Sequence, residues 1–415
     1  MVQRVLVVGG GASGMMAAGR AAECGAQVLL LEKTPRLASK LRLTGKGRCN
    51  VTNESELDDF VAHFRETGPF LYGAFSRFFV SDLRAFLSQR GVATMVERGG
   101  RVFPASNDAR QIADALEGYL IGNKVRIQRN SPVERILVQS SRVSGLVSGG
   151  RELAATAVIL ATGGASYPRT GSTGDGYRLA AELGHHIVSV RPALVPLVAE
   201  EGWVRELQGL GLKSVEATLY CGQAPITQEV GEMIFTHFGV SGPIILSLSK
   251  RAVDASSRGK VTLSLNLMPG RDGQELDGQL RQELEKQGRR QLASVMAGLV
   301  PARIAEVIVG KAQLPLNKPA HQVTAAERRR LVGLMQQLRL TISGPRPIDE
   351  AIITAGGVDT REVNPRTMES TLVRGLYFCG EVLDIDADTG GYNLQAAFSS
   401  GYLAGESAAL AAVDR

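Results

Sequence analysis

The sequence lacks any long apolar run, and this excludes a membrane-spanning helix. Of its 415 residues, 44% are hydrophobic and 21% are charged. No apolar stretch approaches the roughly 20 residues needed to cross a bilayer. The apolar start of the chain is interrupted by GGGASG, so it matches a signal peptide poorly. We therefore predict a soluble protein of two or three domains that does not contact a membrane.

Cysteine is also scarce. Cys24, Cys49, Cys221 and Cys379 lie far apart and form no C-x-x-C pair. Such cysteines are typical of reduced thiols, and we predict a cytoplasmic location. Cys49 alone stands among cations, which lower the pKa of a thiol and favour the thiolate. It is a candidate catalytic residue, although the lack of a nearby cysteine or histidine favours a packing or cofactor-contact role.

Aromatic residues make up only 5% of the sequence, and the net charge is +6. A basic balance suits an anionic cofactor or substrate, and it would also suit RNA. Few rings are available to stack on bases, and the densest basic cluster, 328–330, falls on a predicted helix. We therefore predict a small-molecule substrate rather than a nucleic acid. The sequence makes no prediction of the oligomeric state.

The chain begins with a pattern typical of dinucleotide-binding proteins. Residues 5–8 form an apolar run of strand length, and Gly9, Gly11 and Gly14 follow in G-x-G-x-x-G spacing. After a helical segment, a second apolar run ends at Glu32, eighteen residues beyond Gly14. Strand, helix, strand and acid in this order predict a Rossmann-like βαβ unit.

Each part of this unit has a physical role. Gly9 permits the tight turn, Gly11 lets the backbone approach a pyrophosphate, and Gly14 allows close packing of helix and strand. The free N–H groups at the helix start attract the anion. The Glu32 carboxylate is placed to accept a ribose hydroxyl, which favours FAD or NAD over NADP. The predicted binding residues of this unit are Gly9, Gly11, Ala12, Ser13, Gly14, Glu32 and Lys33.

A polar loop, SKLRLTGKGRCNVTN at residues 39–53, follows the second strand. Its glycines expose backbone amides and its cations supply positive charge, so the loop can surround a pyrophosphate. The alternative is a solvated basic loop. The candidate cofactor-binding residues here are Lys40, Thr44, Gly45, Arg48, Cys49 and Asn50.

Two later segments are also predicted to approach the cofactor. Three short strands, 125–128, 133–139 and 143–147, are similar to the meander that crosses a Rossmann sheet. A buried strand at 157–161 ends in A-T-G-G, where glycine leaves room for a cofactor. No second G-x-G-x-x-G follows a strand, so we predict no separate nicotinamide-binding domain. The candidates in these segments are Val133, Ala161, Thr162 and Gly163.

The composition changes between residues 188 and 345. The pattern predicts a β-rich part at 188–270 with a return strand near 338–343, and a helical part at 271–337. The predicted domains are a cofactor-binding domain made of 1–187 and 346–415, and an insertion domain made of 188–345.

The last candidate segment is GLYFCGEVLDIDADTGGYNLQAAFSSG, residues 375–401. A strand runs into Gly380, Glu381 and an acidic loop, and two glycines then precede a helix from about Asn393. The acidic loop lacks the twelve-residue calcium-binding pattern with its terminal glutamate. We therefore predict no metal site.

Four segments of the chain together resemble the BaiN/YhiN-like flavoproteins, also called the aminoacetone-oxidase-like family. These segments are the opening glycines, TGKGRCNVTN, FTHFGVSGP and GEVLDIDADTGGYNLQAAFSSG. The resemblance covers essentially the whole chain. It implies an α/β fold: a Rossmann-like FAD-binding domain of the glutathione-reductase type with a β-barrel-like and helical insertion. Activities in the family range from reduction of unsaturated steroid ketones to amine oxidation, so the resemblance specifies the cofactor better than the substrate.

The resemblance also assigns residues to parts of FAD. Along the pyrophosphate and ribitol it places Gly380, Glu381 and Asp384, and at the flavin ring it places Gly391, Tyr392 and Asn393.

We predict an FAD-dependent oxidoreductase. It is expected to bind FAD non-covalently and to transfer a hydride between the flavin and a small organic substrate, with NAD(P)H as diffusible donor. Two alternatives stay open: an oxidase of a small amine or amino ketone that uses oxygen, and an FAD-containing RNA-binding or RNA-modifying protein. The candidate catalytic residues are Cys49, Tyr392 and His237, which lies in the glycine-rich turn FTHFGVSGP.

Overall fold

The structure is a computed structural model that describes residues 4–411. They form two compact units. The first unit contains the chain up to Ala193 and from Ile348 onward, and the second contains Leu194–Pro347. Within residues 4–411, no helix is long and apolar enough to cross a membrane.

The secondary structure comprises the following elements. The strands are β1 Arg4–Val8, β2 Gln27–Leu31, β3 Thr52–Asn53, β4 Thr94–Val96, β5 Arg101–Pro104, β6 Arg126–Gln128, β7 Val133–Gln139, β8 Arg142–Ser148, β9 Arg151–Ala154, β10 Ala157–Leu160, β11 Ile187–Ala193, β12 Leu197–Ala199, β13 Gly211–Cys221, β14 Ala224–Phe235, β15 Gly239–Ser241, β16 Val261–Asn266, β17 Leu338–Pro345, β18 Ile353–Val358 and β19 Leu376–Phe378. The helices are α1 Ala12–Glu23, α2 Leu57–Ala62, α3 Tyr72–Arg77, α4 Val80–Ser88, α5 Ala109–Gly122, α6 Asp175–Ala181, α7 Trp203–Glu206, α8 Pro243–Ser256, α9 Gly273–Lys286, α10 Leu292–Met296, α11 Ala302–Lys311, α12 Ala325–Gln336 and α13 Tyr392–Leu410.

The centre of the first unit is a parallel sheet with strand order β19-β10-β1-β2-β6. In β1, Val5 pairs with Val28 on one side and Ala157 on the other. The strands are apolar and almost wholly buried, as expected where a parallel sheet is covered on both faces. Helices α1 and α13 pack so closely that a Cβ at Gly405 would lie 2.3 Å from Ala17 O.

The predicted meander is partly wrong. The segment predicted as its first strand is β6, which pairs with β2 in parallel and forms the edge of the central sheet. The meander consists of β7, β8 and β9, and its third strand was not predicted. Apolar periodicity shows that a strand is present, but it does not show which sheet the strand joins.

Strand β11 begins at Ile187, next to the predicted start of the insertion, but it pairs antiparallel with β18. Residues 188–193 therefore fold with the first unit, six residues beyond the boundary placed at 187.

The second unit contains a closed six-stranded barrel in the order β12-β15-β14-β13-β16-β17. Its last strand, β17, includes the predicted return strand and pairs with both β16 and β12. Helices α9 to α12 lie between β16 and β17 in the chain and carry apolar residues of the same core. Helix α12 begins with a capping box, in which Thr324 and Glu327 exchange hydrogen bonds.

Candidate functional site

Parallel strands end at one edge of a sheet, so the segments that follow β1, β2, β10 and β19 converge there. Gly9 has a φ of +105°, and a Cβ there would lie 2.4 Å from Ala161 O. A Cβ at Gly14 would lie 1.9 Å from Gly9 O. Gly11 differs, because apart from its neighbours in the chain no atom of residues 4–411 comes within 4 Å of its Cβ position. The chain therefore packs tightly around Gly9 and Gly14, whereas the backbone at Gly11 has free space beside it.

The N-terminus of α1 lies at this opening. Its N-cap is Gly11, and no side chain caps the helix, which starts at Ala12. Ser13 Oγ donates to Cys379 O at 3.3 Å, and a Cβ at Gly380 would lie 2.4 Å from Ser13 Oγ. The helix start is thus packed against the end of β19. Its uncapped N–H groups and positive dipole end suit an anion.

Glu32 lies directly beside the turn and is 8% exposed. Its Oε2 accepts a hydrogen bond from Gly10 N at 2.7 Å, and its Oε1 accepts one from Thr34 N at 2.7 Å. Lys33, the next residue, pairs with Asp175. Burial alone would raise the pKa of the Asp175 carboxyl, but the hydrogen bond from Lys33 contributes to a net lowering of that pKa.

Lys40 and Glu381, both candidate cofactor residues, contact each other. Lys40 Nζ lies 2.6 Å from Glu381 Oε2 and 2.8 Å from Ser166 Oγ. Glu381 Oε1 accepts a hydrogen bond from Thr354 N at 2.8 Å. The charge of Lys40 is thus balanced by a carboxylate. Sequence analysis missed Ser166 and Thr354, which carry no motif.

The loop predicted to surround a pyrophosphate contains a 3-10 helix, Leu41–Gly47. Gly45 and Lys46 break it with left-handed φ values of +57° and +58°. Thr44 Oγ1 donates to Leu41 O at 2.7 Å and holds the preceding turn. The backbone therefore takes an irregular path here.

Cys49 contradicts the expectation of a thiolate. It is fully buried, and burial raises the pKa of its thiol to about 12. Arg48 is bonded elsewhere: its Nε donates to Asn107 Oδ1 at 2.7 Å, and its guanidinium pairs with Glu97. Burial of the thiol therefore outweighs any effect of the cations that adjoin Cys49 in sequence.

Helix α13 begins at Tyr392, and its N-cap is Gly391, with a φ of +106° and no side-chain cap. Asn50 and Thr52 adjoin this cap, since a Cβ at Gly391 would lie 2.9 Å from Asn50 Oδ1 and 2.3 Å from Thr52 O. Asn393 fastens the preceding acidic loop: its Oδ1 accepts from Ala387 N at 2.9 Å and its Nδ2 donates to Ala387 O at 3.0 Å.

A group that sequence analysis missed surrounds Tyr392. The His63 ring stacks on the Tyr392 ring with centroids 3.8 Å apart. His63 Nδ1 lies 3.2 Å from Asp388 Oδ2, and Arg65 Nη2 lies 2.6 Å from Asp388 Oδ1. Burial raises the pKa of the Tyr392 phenol. A lone histidine far from Asp388 in sequence gives no signal of this cluster.

The remaining candidates lie in several places. Val133 begins β7, two residues after Ser131, whose N–H donates to Glu32 O at 2.9 Å. Ala161 N donates to Val8 O at 2.9 Å, and Thr162 and Gly163 follow it. Asp384 Oδ1 accepts from Gly356 N at 3.1 Å. His237 is exposed in the turn between β14 and β15 of the second unit.

The first unit has two features that fit FAD. The turn is open at Gly11. The N-termini of α1 and α13 both lack a side-chain cap. Free N–H groups at a helix start suit the pyrophosphate and the polar ring edge of a dinucleotide.

Comparison with known proteins identifies the family. Residues 3–407 match the model of the HI0933-like protein Rossmann domain. The chain belongs to the HI0933-like family. A bile-acid enzyme of Clostridium scindens, 3-dehydro-bile acid delta(4,6)-reductase, is 32% identical to this HI0933-like chain over 98% of the chain and 99% of the relative. The ribosomal RNA dihydrouridine synthase of Escherichia coli is 29% identical over 96% of each chain.

Solved structures share the fold of this HI0933-like protein. The 3-ketosteroid delta1-dehydrogenase from Sterolibacterium denitrificans has a TM-score of 0.54 at 15% identity, covering 98% of this chain and 99% of that one. A flavocytochrome c3 fumarate reductase has a TM-score of 0.52 at 18% identity, covering 100% of this chain and 79% of that one. The family, the α/β fold and the class of FAD-dependent oxidoreductase are confirmed.

Proposed function

We propose that this HI0933-like protein is a cytoplasmic reductase that binds FAD non-covalently and accepts electrons from diffusible NADH or NADPH. Its proposed substrate contains a carbon–carbon double bond conjugated with a carbonyl group. The observation that carries this proposal is the full-length similarity to the delta(4,6)-reductase. In a 3-dehydro-bile acid with delta(4,6) unsaturation, those double bonds are conjugated with the C3 carbonyl.

The name of a second relative describes the same chemistry. Dihydrouridine differs from uridine by saturation of the ring double bond, which is conjugated with a ring carbonyl. The reactions that the two names describe therefore share the reduction of an electron-poor carbon–carbon double bond, whereas the substrates differ. This supports the reaction class more strongly than any one substrate.

The chain's own residues supply binding and electrostatics. When bound, FAD supplies hydride transfer at its ring. Glu32 would hold the ribose, and the uncapped start of α1 would hold the pyrophosphate. Reduction increases negative charge on the ring, and the uncapped start of α13 at Gly391 would stabilise that charge.

Anaerobic mixing of the purified flavoprotein with NADH and with NADPH tests the proposal. We expect one of the two to bleach the flavin absorbance. A steroid with a conjugated 4-en-3-one should then restore the absorbance and yield the saturated ketone, while the matched saturated ketone should not. Failure of both donors to reduce the bound flavin would contradict the proposal. Turnover of an amine with oxygen, without enone reduction, would favour the oxidase alternative.

RNA is the second candidate substrate, and charge distribution favours it. The second unit, Leu194–Pro347, contains 19 Lys and Arg residues and 14 Asp and Glu residues. Its formal net charge is therefore +5, most of the +6 of the whole chain. Part of this charge is paired, because Arg328 Nε lies 2.7 Å from Asp277 Oδ1. Ribosomal RNA replaces the steroid in the assay above, and dihydrouridine formation is measured. Salt-sensitive RNA binding together with dihydrouridine formation would establish this candidate. The absence of both RNA binding and dihydrouridine formation would exclude it.

A further inference from the structure

A histidine–aspartate pair lies beside the first residue of α13. His63 is the C-cap of α2, and Asp388 belongs to the acidic loop that precedes α13. His63 Nδ1 lies 3.2 Å from Asp388 Oδ2, and Arg65 Nη2 lies 2.6 Å from the other oxygen of that carboxylate. A carboxylate bonded to Nδ1 fixes the orientation and the tautomer of an imidazole and leaves Nε2 as the reactive nitrogen.

The His63 ring is also packed on one face. It stacks on the Tyr392 ring with centroids 3.8 Å apart and an angle of 21° between the ring planes. The Tyr392 ring in turn contacts the ring of Phe60 edge to face, with centroids 4.8 Å apart, and Phe60 is fully buried. The imidazole is therefore positioned by a carboxylate at one edge and by a packed aromatic ring on one face.

His63 is accessible, unlike the groups packed behind it. Its side chain is 30% exposed, whereas Tyr392 is 5% exposed. Among residues 4–411, Nε2 has no hydrogen-bond partner, and it is not one of the buried polar atoms that lack one. A small molecule can therefore reach Nε2 of His63 from solvent, while the Tyr392 phenol is largely covered.

Reduction of a double bond conjugated with a carbonyl group needs a proton as well as a hydride. The hydride adds to the β-carbon, and FAD supplies it when bound and reduced. The electron pair of the double bond then moves toward the carbonyl group, and the α-carbon takes a proton. An acid beside the substrate must deliver this proton, because a free enolate is a poor product.

We propose that His63 is this general acid and that its Nε2 donates the proton to the α-carbon of the substrate. The inference rests on the proposed function and deepens it, because it assigns a catalytic residue to that reaction. Under the proposed function the flavin ring lies at the uncapped start of α13, and Tyr392, on which His63 stacks, is the first residue of that helix.

The proton and electron count of this step balances. The N–H bond at His63 Nε2 breaks and a C–H bond forms at the α-carbon. With the hydride at the β-carbon, the substrate gains two electrons and two protons. His63 keeps the proton on Nδ1, which is bonded to Asp388, and takes a new proton at Nε2 from water.

Single-turnover kinetics with two electron acceptors tests the assignment. The holoprotein is reduced anaerobically with dithionite and mixed with a steroid 4-en-3-one or with 1-nitrocyclohexene, and the return of the flavin absorbance is followed. A nitroalkene that accepts a hydride forms a stable nitronate anion, so it needs no proton during the reaction. We expect His63→Gln to slow reoxidation by the enone at least about 100-fold and reoxidation by the nitroalkene less than about threefold.

Two further variants separate this role from a structural one. His63→Phe keeps a ring against Tyr392, and it should show the same selective loss with the enone. His186→Gln is the matched control, because His186 Nδ1 also pairs with an aspartate, Asp359 Oδ2 at 3.3 Å, but lies next to β11. It should react with both acceptors like the wild type. Circular dichroism and flavin content check that each variant is folded.

A second readout does not depend on turnover. Diethyl pyrocarbonate acylates accessible imidazole nitrogens, and mass spectrometry of peptides locates the modified histidine. In the oxidised holoprotein we expect His63 to be modified. Enone at about ten times its dissociation constant should slow this modification about tenfold and leave modification of His186 unchanged.

The outcomes distinguish this inference from the proposed function. If the enone reoxidises the wild-type flavin and both His63 variants keep that rate within about threefold, His63 is not the acid and the proposed function stands. Equal slowing of both acceptors, or equal modification of His63 with and without enone, also overturns the assignment alone. If neither acceptor reoxidises the wild-type flavin, the proposed function fails and this inference fails with it.

Discussion

Gly391→Ala offers a quantitative test of the start of α13. Gly391 has a φ of +106°, and an added Cβ would lie 2.3 Å from Thr52 O. The left-handed backbone costs an alanine about 1–2 kcal/mol. The clash is with a backbone atom, so relieving it must move α13 away from β3, and overpacking of this kind costs about 1–3 kcal/mol more. We expect a total loss of about 2–5 kcal/mol in the free energy of unfolding.

Gly25→Ala is the matched control. Gly25 has a φ of +92°, but apart from its neighbours in the chain no atom of the described residues lies within 4 Å of its Cβ position. It should lose only the backbone contribution, about 1–2 kcal/mol, and bind FAD normally. Urea denaturation of apoprotein gives the stability, and flavin fluorescence gives the affinity. We expect Gly391→Ala to bind FAD at least about tenfold more weakly than Gly25→Ala. Equal affinities in the two variants would refute the placement of the ring at this helix.

Three further predictions concern single side chains. Glu32→Gln should weaken FAD binding roughly tenfold, because a charge-assisted hydrogen bond to the ribose becomes a neutral one; unchanged affinity in a fluorescence titration would contradict this. Cys49→Ser should reduce its flavin with NAD(P)H within about twofold of the wild-type rate, because a buried thiol with a raised pKa is a poor redox partner. Loss of flavin reduction while FAD stays bound would show that the Cys49 thiol takes part in the reaction. Burial lowers the pKa of His185 from 6.5, so folding opposes its protonation and stability should fall as the pH drops below 6.5. Urea midpoints at neutral and acidic pH should show a weaker pH dependence in His185→Gln than in His237→Gln, and equal dependence would remove His185 as the cause.

The sequence by itself determined the local units of this protein. The glycine spacing after β1 specifies a turn in which Gly14 tolerates no side chain, because a Cβ there would meet the backbone oxygen of Gly9 in the same turn. The capping box at Thr324 is likewise a local hydrogen-bond pattern. Apolar periodicity also located the return strand β17, although not its full length.

Only the tertiary structure decided which distant groups meet. Lys40 contacts Glu381 across 341 residues, and His63 contacts Asp388 across 325. Strand order brings the segments that follow β2 and β19 to the same edge of the sheet, although they are far apart in the chain, and Lys40 and Glu381 lie in these segments. Burial of Cys49 also depends on the whole fold, which is why its flanking cations misled the pKa prediction. A sequence pattern encodes the shape of a segment, whereas the solvation and charge around a side chain depend on everything that packs against it.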